Sequence, residues 1–127
     1  MIITHSDNHE HYSLNDIINI DSHKYIVAMN SRNSCSGCLL FAATLGKNVM
    51  KKLSKNILWT GSHINSIEAI STRRADFASI DCVTFELIRK NRPDLIKSIR
   101  VIDYSIKAPS LPYVTSIFTP TNVVKNI

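Results

Sequence analysis

A chain of 127 residues, 44% apolar and 20% charged, is long enough to bury a core without disulfide staples, and an odd count of three cysteines argues against a full disulfide framework. The net charge of +5 favours anionic partners. Its basic residues are dispersed with no aromatic platform between them, and RNP, zinc-finger and helix-turn-helix signatures are missing, so no nucleic-acid partner is expected. No run approaches the ~20 apolar residues of a membrane span, so no direct membrane insertion is expected. The first ten residues lack the basic start and apolar middle of an export signal. As written, the polypeptide is expected to stay cytoplasmic, or to be a piece of something longer.

In chain order, Ile2-Ile3-Thr4 reads as the tail of a strand, and His5 to His11 as a polar loop whose three histidines (His5, His9, His11) amount at most to an adventitious metal site. Ser13 and Asp16 have the spacing of a capped helical turn. Tyr25 to Met29 is the first clear strand, and Cys38 to Leu45 the first clear helix, closed by Gly46. Asn56 to Thr60 is a second strand, and a helix follows with Ile64, Ile67 and Ile70 at helical spacing. Ala75 to Ile80 is a third strand. Asp81 stands where an N-cap belongs, before a helix expected to bury Val83, Leu87 and Ile88. Pro93 ends that helix and opens another turn with Leu95, Ile96 and Ile99 inward. Arg100 to Tyr104 is a fourth strand. Pro109 and Pro112 enforce an extended passage through Tyr113, and a helix begins near Thr121.

Strand and helix alternate from Tyr25 to Tyr104, which predicts an α/β fold, a three-layer α/β/α arrangement around a mainly parallel sheet. Residues 1–127 are expected to form a single domain with a core over 13–116 and a tail over 117–127. In such sheets ligands bind beyond the carboxyl ends of the strands. Three strand ends here open helices through hydroxyl-rich or ionisable turns: Asn30 to Gly37, Thr60 to His63, and Ser79 to Asp81.

Ser34, Ser36 and Gly37 offer hydroxyls and bare N–H groups where the helix dipole is positive, a cradle for a tetrahedral oxyanion. The plainer alternative is that one serine only caps the helix. Gly61, Ser62 and His63 present a second helix start, where His63 is either a donor toward an anion or a surface residue. Asp81 caps the third; being an acceptor only when ionised, it would also suit a ligand that carries a proton or an amine. Cys35 and Cys38, a Cys-x-x-Cys pair opening a helix after a strand, occupy the position of a thiol-disulfide redox pair, and this is the competing function. A zinc site from Cys35, Cys38, His63 and Cys82 matches no closed structural spacing. No catalytic residue, metal or cofactor is therefore expected.

The stretches Asn33 to Gly37, Thr60 to Ile70, Ala75 to Asp81 and Pro109 to Thr115 occur in an order that resembles the second lobe of the phosphate/phosphonate substrate-binding proteins of ABC transporters, within the type 2 periplasmic binding protein fold. The turn at Ser13 to Ile17 fits the same pattern, so the resemblance spans nearly the whole chain. It implies one lobe of a two-lobed clamshell, entered by Ile2 to Thr4 and left by Tyr113 to Ser116. It implies that Ser34 and Ser36 grip the oxygens of phosphate, phosphonate or a related anion, that Ser62 and His63 add donors, and that Asp81 lines the cleft. The implied partners are an ABC-transporter permease and a missing first lobe or another chain covering the cleft, in the family's periplasmic setting. Arg73 stands where the family's helix ends in glycine, at a cost on the order of 1 kcal/mol.

Overall fold

The computed structural model describes residues 1–9, 13–19, 25–109 and 112–125. Five strands, β1 (Ile2–His5), β2 (Val27–Met29), β3 (Ile57–Trp59), β4 (Phe77–Ser79) and β5 (Ile99–Asp103), form one sheet in the order β3-β2-β4-β1-β5. β2 pairs in parallel with both β3 and β4, while β1 lies antiparallel between β4 and β5. Four strands thus run one way and β1 runs against them, which is the mainly parallel sheet that the strand–helix rhythm predicts.

Side chains alternate across each strand with period two, and the alternation builds one apolar layer on each face. Ile3, Ala28 and Ala78 face α4 (His63–Ser71) and α5 (Cys82–Asn91), packing with Ile67, Ile70, Phe85 and Ile88. Ile2, Val27, Met29 and Phe77 face the other way, onto Ile17 of α1 (Leu14–Asn19), Phe41 and Leu45 of α2 (Leu40–Leu45), and Leu53 of α3 (Lys47–Leu53). Both Ile2 and Ile3 are fully buried. The core therefore begins ahead of residue 13, the start expected for it, because β1 is an interior strand with a neighbour on each side.

Several local expectations are met by identifiable bonds. The Asp16 carboxylate accepts from both the N–H and the hydroxyl of Ser13, at 2.8 and 3.0 Å, closing the first turn of α1. Gly46 has φ of 81°, a conformation that favours glycine. It closes α2 as expected, its N–H donating to the Ala42 carbonyl, and α3 follows at once and buries Leu53. The helix α5 also turns differently from expectation. Phe85 and Ile88 face the sheet, whereas Val83 and Leu87 are 62% and 56% exposed. At about 100° per residue, positions 83 and 87 fall opposite positions 85 and 88, so this helix carries apolar residues on both sides and only one can face inward. Beyond β5, residues 104–109 and 112–116 have no regular secondary structure, and Tyr113, Val114, Ile117 and Phe118 are exposed. A short helix, α6 (Thr121–Val124), follows. Ser110 and Leu111, inside the stretch from Pro109 to Thr115, lie outside the described residues, as does His11.

The end of α4 explains the position of Arg73. The Arg74 N–H donates to the Ala69 carbonyl at 2.8 Å and the Arg73 N–H to Ile70 at 3.0 Å, the paired bonds of a Schellman cap. That cap puts Arg73 at φ of 57°. Its guanidinium pairs with Asp7 at 2.7 Å, but both groups are exposed and the pair is worth little. Arg73→Gly is expected to raise unfolding stability by about 0.5 kcal/mol, the relief of left-handed strain exceeding the lost surface pair. A urea midpoint that moves up at unchanged m-value is the expected reading; one that moves down contradicts it.

Candidate functional site

Parallel strands must end on the same edge, and β2, β3 and β4 end at Met29, Trp59 and Ser79. Each then leads through a short turn into a helix. After β2 the turn runs through Asn30 to Ser34 into a π-helical turn, Cys35–Leu39, which continues as α2. Ser34 is extended, and its hydroxyl oxygen accepts the Gly37 N–H at 3.1 Å. After β3, Gly61 takes φ of 82°, and the Ser62 hydroxyl accepts the Asn65 N–H at 3.2 Å as the N-cap of α4. The Thr60 hydroxyl braces this turn against Ser66 Oγ at 2.6 Å and against the Ser62 carbonyl at 3.0 Å. After β4, Asp81 caps α5, its Oδ1 accepting from the N–H and hydroxyl of Thr84 at 2.8 and 3.1 Å.

The first two helix starts touch, and the end of β4 reaches the first of them. Ser36 Oγ lies 3.2 Å from His63 Nε2, joining the first start to the second. Asn30 Nδ2 approaches the same ring nitrogen at 3.5 Å. The Ser79 hydroxyl, at the end of β4, donates to the Ser36 carbonyl at 2.6 Å, joining the third strand end to the first turn. Gly37 sits inside this junction: a Cβ there would overlap the Asn30 carboxamide and come within 3.0 Å of His63 Cε1. Its missing side chain is therefore required by close approach, in addition to any use of its backbone. Of the candidate residues, Ser34, Ser36, Gly37, Ser62, His63 and Asp81 all lie on this one rim.

Two polar atoms in the junction, Asn30 Oδ1 and His63 Nδ1, are buried without a hydrogen-bond partner among the described residues. Burial pushes the His63 imidazole below its ordinary pKa; the Asp81 charge pulls the other way and the charge at Met1 adds to the lowering. For Asp81, burial acts upward but is outweighed by the bonds from Thr84, with the nearby His63 assisting, and its carboxyl is held below the usual range. At neutral pH the rim thus presents a neutral ring and an ionised carboxylate.

The competing cysteine motif has a different setting. Cys35 and Cys82 are exposed and Cys38 is buried, all three as free thiols. Burial pushes the Cys38 thiol up, against a smaller pull from Arg32. Among the described residues no three of His, Cys, Asp and Glu are arranged to hold a metal.

Sequence reasoning placed Asn30, Arg32, Thr60 and Ser79 within the three turns but did not single them out as contact residues. The Arg32 guanidinium lies over the Trp59 ring, 4.8 Å from its centroid, beside the same rim. The available signal was that Ser79 ends its strand and that Asn30 and Thr60 each follow a strand end by one residue, where contacts depend on a partner strand.

A family model described as ABC transporter, phosphonate, periplasmic substrate-binding protein matches residues 1–127. The chain belongs to this family. Solved structures show that the fold of this phosphonate-family domain is that of one lobe of a type 2 periplasmic binding protein. A binding-protein component of an ABC phosphonate transporter from Pseudomonas aeruginosa is 23% identical, with a TM-score of 0.73 over 86% of this chain and 36% of that one. PhnD1 from Prochlorococcus marinus, solved with methylphosphonate, is 18% identical with a TM-score of 0.54 over 78% of this chain and 38% of that one. A histidine kinase sensor domain with similarity to periplasmic binding proteins is 16% identical, with a TM-score of 0.57 over 84% and 40%. The domain therefore spans well under half the length of these structures. Curated proteins yield no sequence match.

Two expectations follow for the phosphonate-family domain. Gly37→Ala must displace Asn30 or His63 and is expected to cost about 1–3 kcal/mol, read as a lowered urea midpoint. An unchanged midpoint would mean that the junction yields freely. The second concerns pH. His63 has a folded pKa lowered from an unfolded value of about 6.5, so its neutral form is the folded one. The stability it contributes is complete above about pH 6.5 and is lost as pH falls from there through the folded pKa. Between pH 7 and pH 5 the wild-type midpoint should fall by more than that of His63→Gln; equal falls would remove His63 from the account.

Proposed function

We propose that this phosphonate-family domain is a non-enzymatic substrate-binding lobe that captures phosphonate, phosphate or a related oxyanion such as phosphite or a sulfonate, for delivery to an ABC-transporter permease in the periplasm. The observation that carries the reading is the 3.2 Å contact between Ser36 and His63, which makes one rim of two helix starts. Ser34 and Ser62 add a chemical argument. Each hydroxyl oxygen is occupied as an acceptor of a backbone N–H, so each keeps its own hydrogen for donation outward. In this reading Ser34, Ser36, Ser62 and His63 hold the anion's oxygens, Gly37 allows close approach, and the helix dipoles favour its charge. Asp81, an ionised acceptor, favours a ligand that carries a proton or an amine over fully deprotonated sulfate.

A second lobe, on the same or another chain, closes over the ligand. The exposed apolar side chains of Tyr113, Val114, Ile117 and Phe118 support such a cover, since they cross from the packed body into water. Closure desolvates the anion and strengthens every hydrogen bond to it, so the lone domain binds more weakly than the closed pair.

The reading is tested by calorimetric titration of methylphosphonate, phosphate, phosphite, sulfate and taurine into this chain and into a two-lobed version. The two-lobed protein is expected to bind a phosphonate or phosphate in preference to sulfate. Ser34→Ala and Ser62→Ala should each weaken it by roughly tenfold, the worth of one hydrogen bond to a charged group. A two-lobed protein that ignores every oxyanion overturns the assignment.

A further inference from the structure

We infer that the outer face of α3 is an adsorption surface for a lipid bilayer bearing anionic headgroups, held there by Lys47, Lys51, Lys52 and Lys55. This surface is separate from the rim. α3 leads through Ser54–Asn56 into the amino end of β3, whereas the rim forms at the carboxyl ends of the parallel strands. What α3 touches therefore does not depend on what the rim binds.

The net charge of +5 is unevenly placed. Residues 22–67 hold six basic side chains and no acidic one, whereas the rest of the chain holds nine basic and ten acidic. Basic residues that read as dispersed are thus an excess in one segment, and four of those six fall between Lys47 and Lys55. The local fold gives them a common direction. Val49, Met50 and Leu53 pack into the core layer that contains Phe41 and Phe77. At about 100° per residue, Lys47 and Lys51 fall opposite that apolar side, with Lys52 at its flank. Lys55 follows in the 3-10 turn that closes the helix. All four lysines are exposed, and Asn48 and Ser54 are the other exposed residues of this stretch. The outer face has neither an acidic nor an apolar member.

Among the described residues none of these lysines has an ion-pair partner, while Arg73, Arg89 and Arg92 each hold a carboxylate. Lys47 and Lys51 are a like-charge pair at i, i+4, a spacing that weakens a helix. An anionic surface outside the chain relieves that repulsion. The residue types favour one kind of surface. Protein interfaces are depleted in lysine and enriched in arginine and aromatic residues, and nucleic-acid grooves add stacking rings; this face has no arginine and no ring. A compact charge on a flexible stem suits a diffuse array of headgroups that imposes no fixed geometry, and four lysines on one helix face reach the density at which anionic lipid is recognised. The apolar side of α3 is committed to the core, so the contact is adsorption without insertion.

Co-sedimentation of this chain with extruded vesicles reads the partition directly, using phosphatidylcholine alone and an equal mixture of phosphatidylcholine and phosphatidylglycerol. Binding is expected to the mixed vesicles only, and should fade as the Debye length falls from ~10 Å in 0.1 M salt to ~3 Å in 1 M. Each lysine near such a surface is worth roughly fivefold in partition, so Lys51→Gln with Lys52→Gln should lower it roughly 25-fold. Lys90→Gln with Lys97→Gln removes the same net charge from exposed positions in and after α5 and should lower it by less than about threefold. Urea midpoints confirm that both double variants fold. Equal binding to the two kinds of vesicle, or equal losses from the two double variants, would overturn the inference. So would binding that survives the α3 variant, as insertion of the exposed Tyr113 and Phe118 would give. A chain that ignores the mixed vesicles also overturns it, whether or not that chain binds duplex DNA or polyglutamate. None of these outcomes bears on methylphosphonate binding at the rim.

Discussion

The shared direction of β2, β3 and β4 is the constraint on which the rest of the structure depends. Because the three strands are hydrogen-bonded side by side in parallel, their carboxyl ends cannot avoid one another. Whatever residues follow Met29, Trp59 and Ser79 are delivered to a single edge. The helices that begin there bring their uncapped amides and the positive ends of their dipoles to the same place. Ser36, His63 and Ser79 convert this proximity into contact, and a glycine at position 37 is what lets the Asn30 and His63 side chains close over the first helical turn.

The chemistry of the rim is mostly neutral. Ser34, Ser36, Gly37 and Ser62 contribute dipoles, His63 is held uncharged, and Asp81 is negative; no lysine or arginine belongs to the set. Recognition by such a surface depends on the number and direction of donors more than on net charge. That suits the proposed capture and release of a tetrahedral anion. Arg32, fixed over Trp59, supplies a positive charge beside the rim without entering it.

Features governed by near neighbours were legible in the sequence. The Ser13–Asp16 reciprocity, the Asp81 cap and the left-handed Arg73 each depend on residues within about one helical turn, and the chain states them directly. The strand–helix rhythm was legible for the same reason, and so was the rim, since parallel topology follows from rhythm. What was hidden depends on distance. Asn30 meets His63 across 33 positions and Ser79 meets Ser36 across 43, and nothing in either neighbourhood announces the partner. α3 was hidden by Gly46, which closes α2 as it reads but also leads at once into the next helix. α5 was misread because Val83 and Leu87 form a stripe as regular as that of Phe85 and Ile88; the sheet, not the pattern, decides which stripe is inside.

The position of β1 has a consequence for how the domain comes together. Ile2 pairs with Ser79 on one side and Asp103 on the other, so the two halves of the sheet are stitched by a strand from the opposite end of the sequence. During synthesis this short strand waits for Phe77–Ser79 on one side and for Ile99–Asp103 on the other. Loop closure over such separations is slow, and unpaired ribbons are sticky while they wait. The pairing of β1 is therefore completed late, and assembly is more exposed to mispairing there than at any helix.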